Sequence, residues 1–328
     1  MKRVLPAIVL FFLAPLVAEY LLGDIPLNMI FALAFLAPMY GGGALLIREV
    51  VRRTGRGWVT ILVLALAYGI FEEAFMTETL FNPNYLGLNL HLLQPGFIPV
   101  LGIGAWWTVF VITLHTVWSI STSIGLTEAM FPDRATQPWL KTLGLSIISF
   151  IFVLIAVFAC FWAVKSDKTH FVASVPQFVT SGIICLLVVI IAFMIPKPKE
   201  NLVRSGSAPS AWIVGAISLA ACSIFLIVPQ EWGWRAVGIY FLLYIIAIAL
   251  FSGWSERTGW GSLHRLALAG GAALAYAWHA FFQNPVTGPP NKWFRIGNAI
   301  LALVVIIYLA IAARRDVAFE KTHEIAGV

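Results

Sequence analysis

A chain of 328 residues that is 60% hydrophobic and 11% charged, with a mean hydropathy of +0.91, has too little polar surface for a soluble globule of that size. Its formal net charge of +6 does not point to nucleic acid, because the basic residues stand in short clusters between apolar runs rather than in a stripe interleaved with aromatics. What remains is an all-α, polytopic membrane protein, a bundle of transmembrane helices.

Taken in chain order, Met1-Lys2-Arg3 and the apolar run behind it begin like a signal peptide. The run continues past Glu19 without a small-x-small cleavage site, so it reads as a retained first helix. Apolar spans of roughly 17 to 25 residues then fall at about Leu5 to Leu22, Met29 to Leu46, Trp58 to Leu80, Ile103 to Met130 and Leu143 to Trp162. The second half adds Val175 to Ile195, Ala211 to Val228, Ala236 to Trp254, Leu266 to Phe282 and Gly297 to Ala313, about ten in all.

The alternation of basic loops tests that count. With the N-terminus in the cytoplasm, sixteen Lys and Arg fall inside, Arg48, Arg52, Arg53, Arg56, Lys197 and Arg204 among them, and five fall outside. That split supports an integral cell membrane protein, bacterial inner-membrane in type, with both termini cytoplasmic. Trp58, Trp139, Trp212, Trp254 and Trp260 are expected near the inner boundary, whereas Trp118 and Trp278 lie within spans, each close to a histidine.

The expected organisation is a six-helix membrane half over residues 1–195, a flexible cytoplasmic linker at 196–210, a four-helix half at 211–313 and a cytoplasmic tail at 314–328. Asn82 to Pro99, rich in turn residues, reads equally as a lid or re-entrant loop over the outer face and as an ordinary connector. Cys160, Cys185 and Cys222 fall in apolar runs and read as core filler, with neither disulfide nor metal-ligand spacing. Gly41-Gly42-Gly43 and Gly270-Gly271 would permit close helix packing.

Charge at membrane depth costs a few kcal/mol on insertion scales, about 2.5 to 3.5 at a helix centre, so each intramembrane ionisable residue needs a role or a partner. At ~1.5 Å per residue, Glu19, Glu72 and His279 lie roughly 21 Å from the inner end of their helices, in a core ~30 Å thick. Glu73 follows one step further out, and His115 lies roughly 18 Å below the outer end of its helix. Glu19 is expected to snorkel to the outer surface beside Tyr20, and Glu78 to be a solvated rim residue. Glu72 and Glu73 have no intramembrane Lys or Arg on nearby spans, which leaves the histidines as partners.

Two crowded carboxylates do not both ionise easily, so one can act as a general base or acid near neutral pH, with a histidine to share its proton. A water held between Glu72 and a histidine could then attack an amide carbonyl, with Gln283 and Asn284 within reach as oxyanion donors.

These residues carry a resemblance. Glu72-Glu73 on one helix, His115 on the next, and His279 with an amide one turn on are similar to the EExxxR, FxxxH and HxxxN motifs of the glutamate-dependent intramembrane proteases. That superfamily includes the CAAX-processing and bacteriocin-processing enzymes and the PrsW-type proteases. The run His115-Thr116-Val117-Trp118-Ser119 resembles the PrsW-type histidine motif. Here Thr77 replaces the motif arginine, Val111 stands at the motif Phe with Phe110 beside it, and Gln283 takes the place of the Asn. Four helices separate His115 from His279, so the likeness covers the third, fourth and ninth spans. It implies a helical core in which Glu72 activates water, Glu73, His115 and His279 assist, and Gln283 or Asn284 supports the oxyanion. The substrate would be a transmembrane protein or peptide.

Two other classes fit the same residues. Two carboxylates and two histidines suit zinc, although no HExxH is present and no cofactor is called for. A non-enzymatic, proton-coupled transporter would use the same Glu and His residues as a relay. The implied partners are the lipid bilayer and a membrane-embedded substrate, and no nucleic acid.

Overall fold

The computed structural model describes residues 3–166, 170–198 and 204–326. It is three-quarters helical with almost no sheet, an all-α membrane bundle. Without water to satisfy backbone groups, an apolar run in lipid closes its hydrogen bonds within itself, and this is what makes the runs helical. Among the described residues ten rods stand where the apolar runs predict them: α1 Leu5–Leu21, α2 Leu27–Arg53, α3 Trp58–Met76, α4 Ala105–Met130, α5 Thr142–Ser166, α6 Val175–Met194, α7 Ala211–Ile227, α8 Trp234–Ser255, α9 Ser262–His279 and α10 Lys292–Ala326. Seven of these are long and apolar enough to cross a membrane by themselves; α1 and α7 are shorter apolar helices. The remaining rod, α9, buries Leu266 and nearly every residue from Ala269 to Ala277, so it is an interior helix wrapped by its neighbours.

Local signals set the rod ends. Ser174 and Gln177 form a capping box at the start of α6, with Pro176 in the first turn. At its other end α2 carries Arg52 and Arg53 in the last turn and stops at Gly55, whose φ of +66° is left-handed.

Burial sorts the rods by position. Only 11% of the apolar window of α5 and of α6 is buried, against 61% for α3 and α4, so α3 and α4 are central and α5 and α6 face lipid. One core joins α1 to α6 around Leu10, Tyr40, Tyr68 and Ile124. A second crosses from the first half to the second, uniting Leu21, Trp106 and Trp118 with Phe225, Tyr240, Tyr276 and Ala312. Trp118 accounts for much of that union: its Nε1 donates to the Ala272 carbonyl at 2.7 Å, and its ring stacks on Tyr276 at 4.5 Å. Trp278 similarly ties α9 to α7 by donating to Ser223 Oγ at 2.8 Å. The two tryptophans predicted beside the histidines therefore fasten helices together.

Two short pairings lie outside the bundle. Between α3 and α4, Phe97–Ile98 (β1) pairs antiparallel with Ile103–Gly104 (β2), so the loop from Asn82 closes as a small hairpin. Arg204–Ser207 (β3) pairs in parallel with Arg257–Thr258 (β4), which gives part of the predicted flexible linker a fixed partner. Residues 199–203 of that linker lie outside the described residues.

The basic cluster at the end of α2 is more than a topology signal. Arg48 is completely buried, bonded by Nε to Glu128 at 3.0 Å and by Nη1 to Glu49 at 3.1 Å. Its Nη2 donates to the carbonyls of Arg134, Ala135 and Gln137. Arg52 also grips Glu128, at 2.6 Å. Trp139, predicted as a boundary anchor, is instead fully buried beneath Arg48, whose guanidinium carbon lies 3.2 Å from the ring centroid.

Candidate functional site: a buried carboxylate–histidine triad

The site forms where four widened helical turns meet. Leu16–Leu21 in α1, Ala37–Gly41 in α2, Glu72–Met76 in α3 and His115–Thr122 in α4 are all π-helical. Such turns are rare and concentrate at functional sites. In the first two a proline gives the local reason, since Pro15 precedes one turn and Pro38 lies within the other, each lacking the N–H that α-helical bonding needs. In the third, the Thr77 N–H bonds the Glu72 carbonyl five residues back, at 3.0 Å. The four turns carry Glu19, Tyr40, Glu72 with Glu73, and His115 respectively. Glycines let the rods approach: a Cβ on Gly43 would come within 2.3 Å of the Tyr68 ring, and one on Gly69 within 3.2 Å of His115 Cβ.

At the centre, His115 bridges the two glutamates. Its Nε2 lies 2.7 Å from Glu73 Oε1 and its Nδ1 lies 3.2 Å from Glu72 Oε2. Exposure is 1% for Glu72, 4% for Glu73 and 6% for His115, so the three are held away from solvent and lipid alike. The Tyr40 ring stacks on the imidazole at 5.9 Å, and Tyr68 meets its edge at 6.2 Å.

The two carboxylates differ in their support. Glu73 accepts from Thr79 Oγ1 and, at 3.1 Å, from Thr77 Oγ1, while Trp107 Nε1 donates to Thr79 at 2.9 Å and fixes it. Thr77 thus serves the glutamate pair, its hydroxyl lying 3.1 Å from Glu73 and 3.3 Å from the Glu72 carbonyl. Among the described residues no donor meets a Glu72 oxygen in strict hydrogen-bonding geometry, although His115 Nδ1 lies 3.2 Å away and the Tyr40 and Tyr68 hydroxyls interact with this carboxylate. The Tyr40 and Tyr68 hydroxyls lie on the Glu72 side but give their protons to Glu19 Oε1, at 2.5 Å, and to the Met39 carbonyl, at 3.3 Å. A buried carboxylate with open lone pairs is costly unless something else fills them, and this singles Glu72 out.

Two carboxylates depart from what the sequence leads one to expect, and two more join a network that it does not mark. Glu19 does not snorkel, because Tyr40 holds it against the cluster. Glu78 is no solvated rim residue: it is 4% exposed and accepts the Ala173 N–H at 2.6 Å, fastening the chain just ahead of α6. Glu49 and Glu128, which the sequence reading passed over, belong to the buried ion network. Their spacing of 79 positions carries no local signal, and only the fold pairs them with Arg48.

Among the described residues His279 and the amides make no hydrogen bond or ion pair with the triad. His279 is half-buried at the end of α9, where Gln283 Nε2 lies 3.2 Å from its Nδ1, and Asn284 is exposed. Among the described residues, the titratable group with metal-ligand potential is Glu72, Glu73 and His115, whose donor atoms all lie within 4.8 Å of one another. Zinc fits these three poorly. The carboxylates meet opposite nitrogens of one ring, whose lone pairs diverge, so a single ion could take only one side. The arrangement suits proton sharing instead.

The rods and this buried polar centre define an integral, multi-pass helical membrane protein. The chain belongs to a family described as an uncharacterized membrane protein family, whose profile spans residues 8–321. No curated protein and no solved structure matches it.

Proposed function

We propose that the protein is an intramembrane endopeptidase in which Glu72 is the base, His115 its proton partner and Glu73 the group that orients the imidazole. The observation that carries this reading is the asymmetry of the triad: Glu73 accepts from two threonine hydroxyls, while buried Glu72 faces His115 with neither oxygen in a strict hydrogen bond among the described residues. A water there would find an acceptor and an imidazole edge. The likeness of Glu72-Glu73 and of the His115 run to the glutamate-dependent intramembrane proteases supports the same assignment.

The chemistry balances as an ordinary amide hydrolysis. Water oxygen forms a bond to the carbonyl carbon as its proton passes to Glu72. That proton then moves through His115 to the leaving nitrogen, and the C–N bond breaks. With Gln283 engaged by His279, a developing oxyanion would draw on the Tyr40 or Tyr68 hydroxyl, each of which must first turn from the Glu19 carboxylate or the Met39 carbonyl. The substrate class is a transmembrane protein or peptide, and both chain termini are assigned to the cytoplasm.

A second reading, a proton-coupled transporter, draws on one further observation. Below His115 the buried face of α4 stays polar through Ser119, Ser123, Thr127 and Glu128, reaching toward the Arg48 network. Membranes carrying wild type, Glu72→Gln and His115→Ala separate the two. Peptides that appear only with wild type support the peptidase. An unchanged peptide pattern together with a pH-dependent flux lost in Glu72→Gln would overturn it in favour of transport.

A further inference from the structure

At the end of the bundle that carries the Arg48 network, a cavity of about 500 Å³ opens between the α2–α3 loop and the end of α6, lined by Arg53, Thr54, Gly55, Arg56, Phe193 and Lys197. Three of the six lining residues are cations and none is an acid. The walls are fitted together: Pro198 packs against Gly57, and the Lys197 Nζ lies over Gly55.

Part of this charge is already committed. Arg56 donates to the carbonyls of Phe193 and Ile195, closing the end of α6, and stacks over the Phe193 ring at 5.4 Å. Arg53 donates to the Leu140 carbonyl at 2.6 Å and stands 3.5 Å from Glu49, which is also engaged by Arg48 and by the N–H groups of Trp139 and Leu140. If the cations served only to cap helix ends, the inventory would close there, and it does not. Arg56 Nε is buried with no partner, and Lys197 is exposed with no hydrogen bond or ion pair among the described residues. An exposed cation without an acceptor, beside two further cations and no acid among the described lining residues, describes the receptor half of an anion site.

We infer that this cavity binds the phosphate of an anionic phospholipid. The lipid source follows from the surroundings: Phe193 reaches the cavity, and Ile190, one helical turn before it on α6, is 45% exposed along a helix that faces lipid, so an acyl chain has an apolar track leading away from the phosphate. The inference is independent of the Glu72 reading, since no residue is shared.

The test uses the full-length protein in nanodiscs of equal phosphatidylglycerol and phosphatidylcholine, with the retained lipids counted by native mass spectrometry. Wild type should retain phosphatidylglycerol selectively. Lys197→Gln and Arg53→Gln should each lower that selectivity about fivefold, the scale for one basic residue at an anionic surface. Lys292→Gln, whose ammonium lies over Trp293, should change nothing. Among the described residues Lys197 has no hydrogen bond or ion pair to lose, so its variant reads binding rather than folding. Unchanged selectivity in both Lys197→Gln and Arg53→Gln would overturn the site. Stabilisation of the lipid-free detergent protein by inorganic phosphate, with no preference between the two lipids, would overturn the lipid assignment.

Discussion

Arg48 shows what a single buried charge demands of this fold. Its guanidinium is fully enclosed, and every part of it is answered: two carboxylates, three carbonyls and the face of Trp139. Removing one member of such a set strands the others, a loss on the order of 3 to 5 kcal/mol. Arg48→Ala should therefore unfold at markedly lower denaturant or temperature than wild type, read by tryptophan fluorescence, and equal stability would mean that the network contributes nothing. The positive charges were plain in the sequence, and so was their side of the membrane as an expectation. Their partners were not, because Glu128 is 80 positions away and nothing local marks it. Asp24, in the connection between α1 and α2, gives a pH-dependent counterpart. Burial, followed by the neighbouring Glu19 charge, pushes its carboxyl up to about 7. With the folded value above the unfolded one, the stability Asp24 contributes is fully present below the ordinary carboxylate range, about 3.9, and is lost as pH rises through about 7. Asp24→Asn should flatten that part of the melting-temperature profile and raise stability on its alkaline side. A profile superimposable on wild type would contradict the assignment.

The elements were the most legible part of the molecule, since an apolar run in lipid has no alternative to a helix and the run lengths match the bilayer. What the runs could not convey is how each rod departs from regularity, and the site is built from those departures. Pro15 and Pro38 are visible as helix disturbers, but Glu72–Met76 and His115–Thr122 contain no proline and carry no comparable mark. Nor could spacing reveal that the π turn of α1 turns Glu19 toward Tyr40 rather than toward the surface. Glycine positions repeat the lesson, because a glycine in a span signals close approach without saying to what. Gly43→Ala places a methyl 2.3 Å from the Tyr68 ring, which must move from the edge of His115, at a cost of about 1 to 3 kcal/mol. Gly182→Ala in α6 meets only Phe75 Cζ at an ordinary 3.7 Å and should be neutral or slightly stabilising. Melting both proteins against wild type checks the contrast, and equal effects would show that the α2–α3 approach is loose.

For the whole molecule, a lipid-facing shell of α5, α6, α8 and α10 surrounds central α3, α4 and α9, with the triad between α3 and α4. The membrane class and the pairing of Glu72-Glu73 with His115 were readable from motif order. That His279 bonds with Gln283 rather than with the triad was not, since chain order says nothing of which side of α9 faces inward. Orientation is open to a direct check: a reporter fused after Arg204 should read cytoplasmic and one inserted near Gln94 external, and the opposite pair of signals would invert the topology. The central claim is that Glu72 activates water within the membrane. It is tested most directly by incubating proteoliposomes of purified wild type and Glu72→Gln with a membrane-peptide pool in ¹⁸O-labelled water and sequencing the products by mass spectrometry. The expected result is new C-termini carrying one ¹⁸O with wild type, reduced by orders of magnitude with Glu72→Gln. Labelled termini at equal yield from both proteins, or none from wild type, would contradict it.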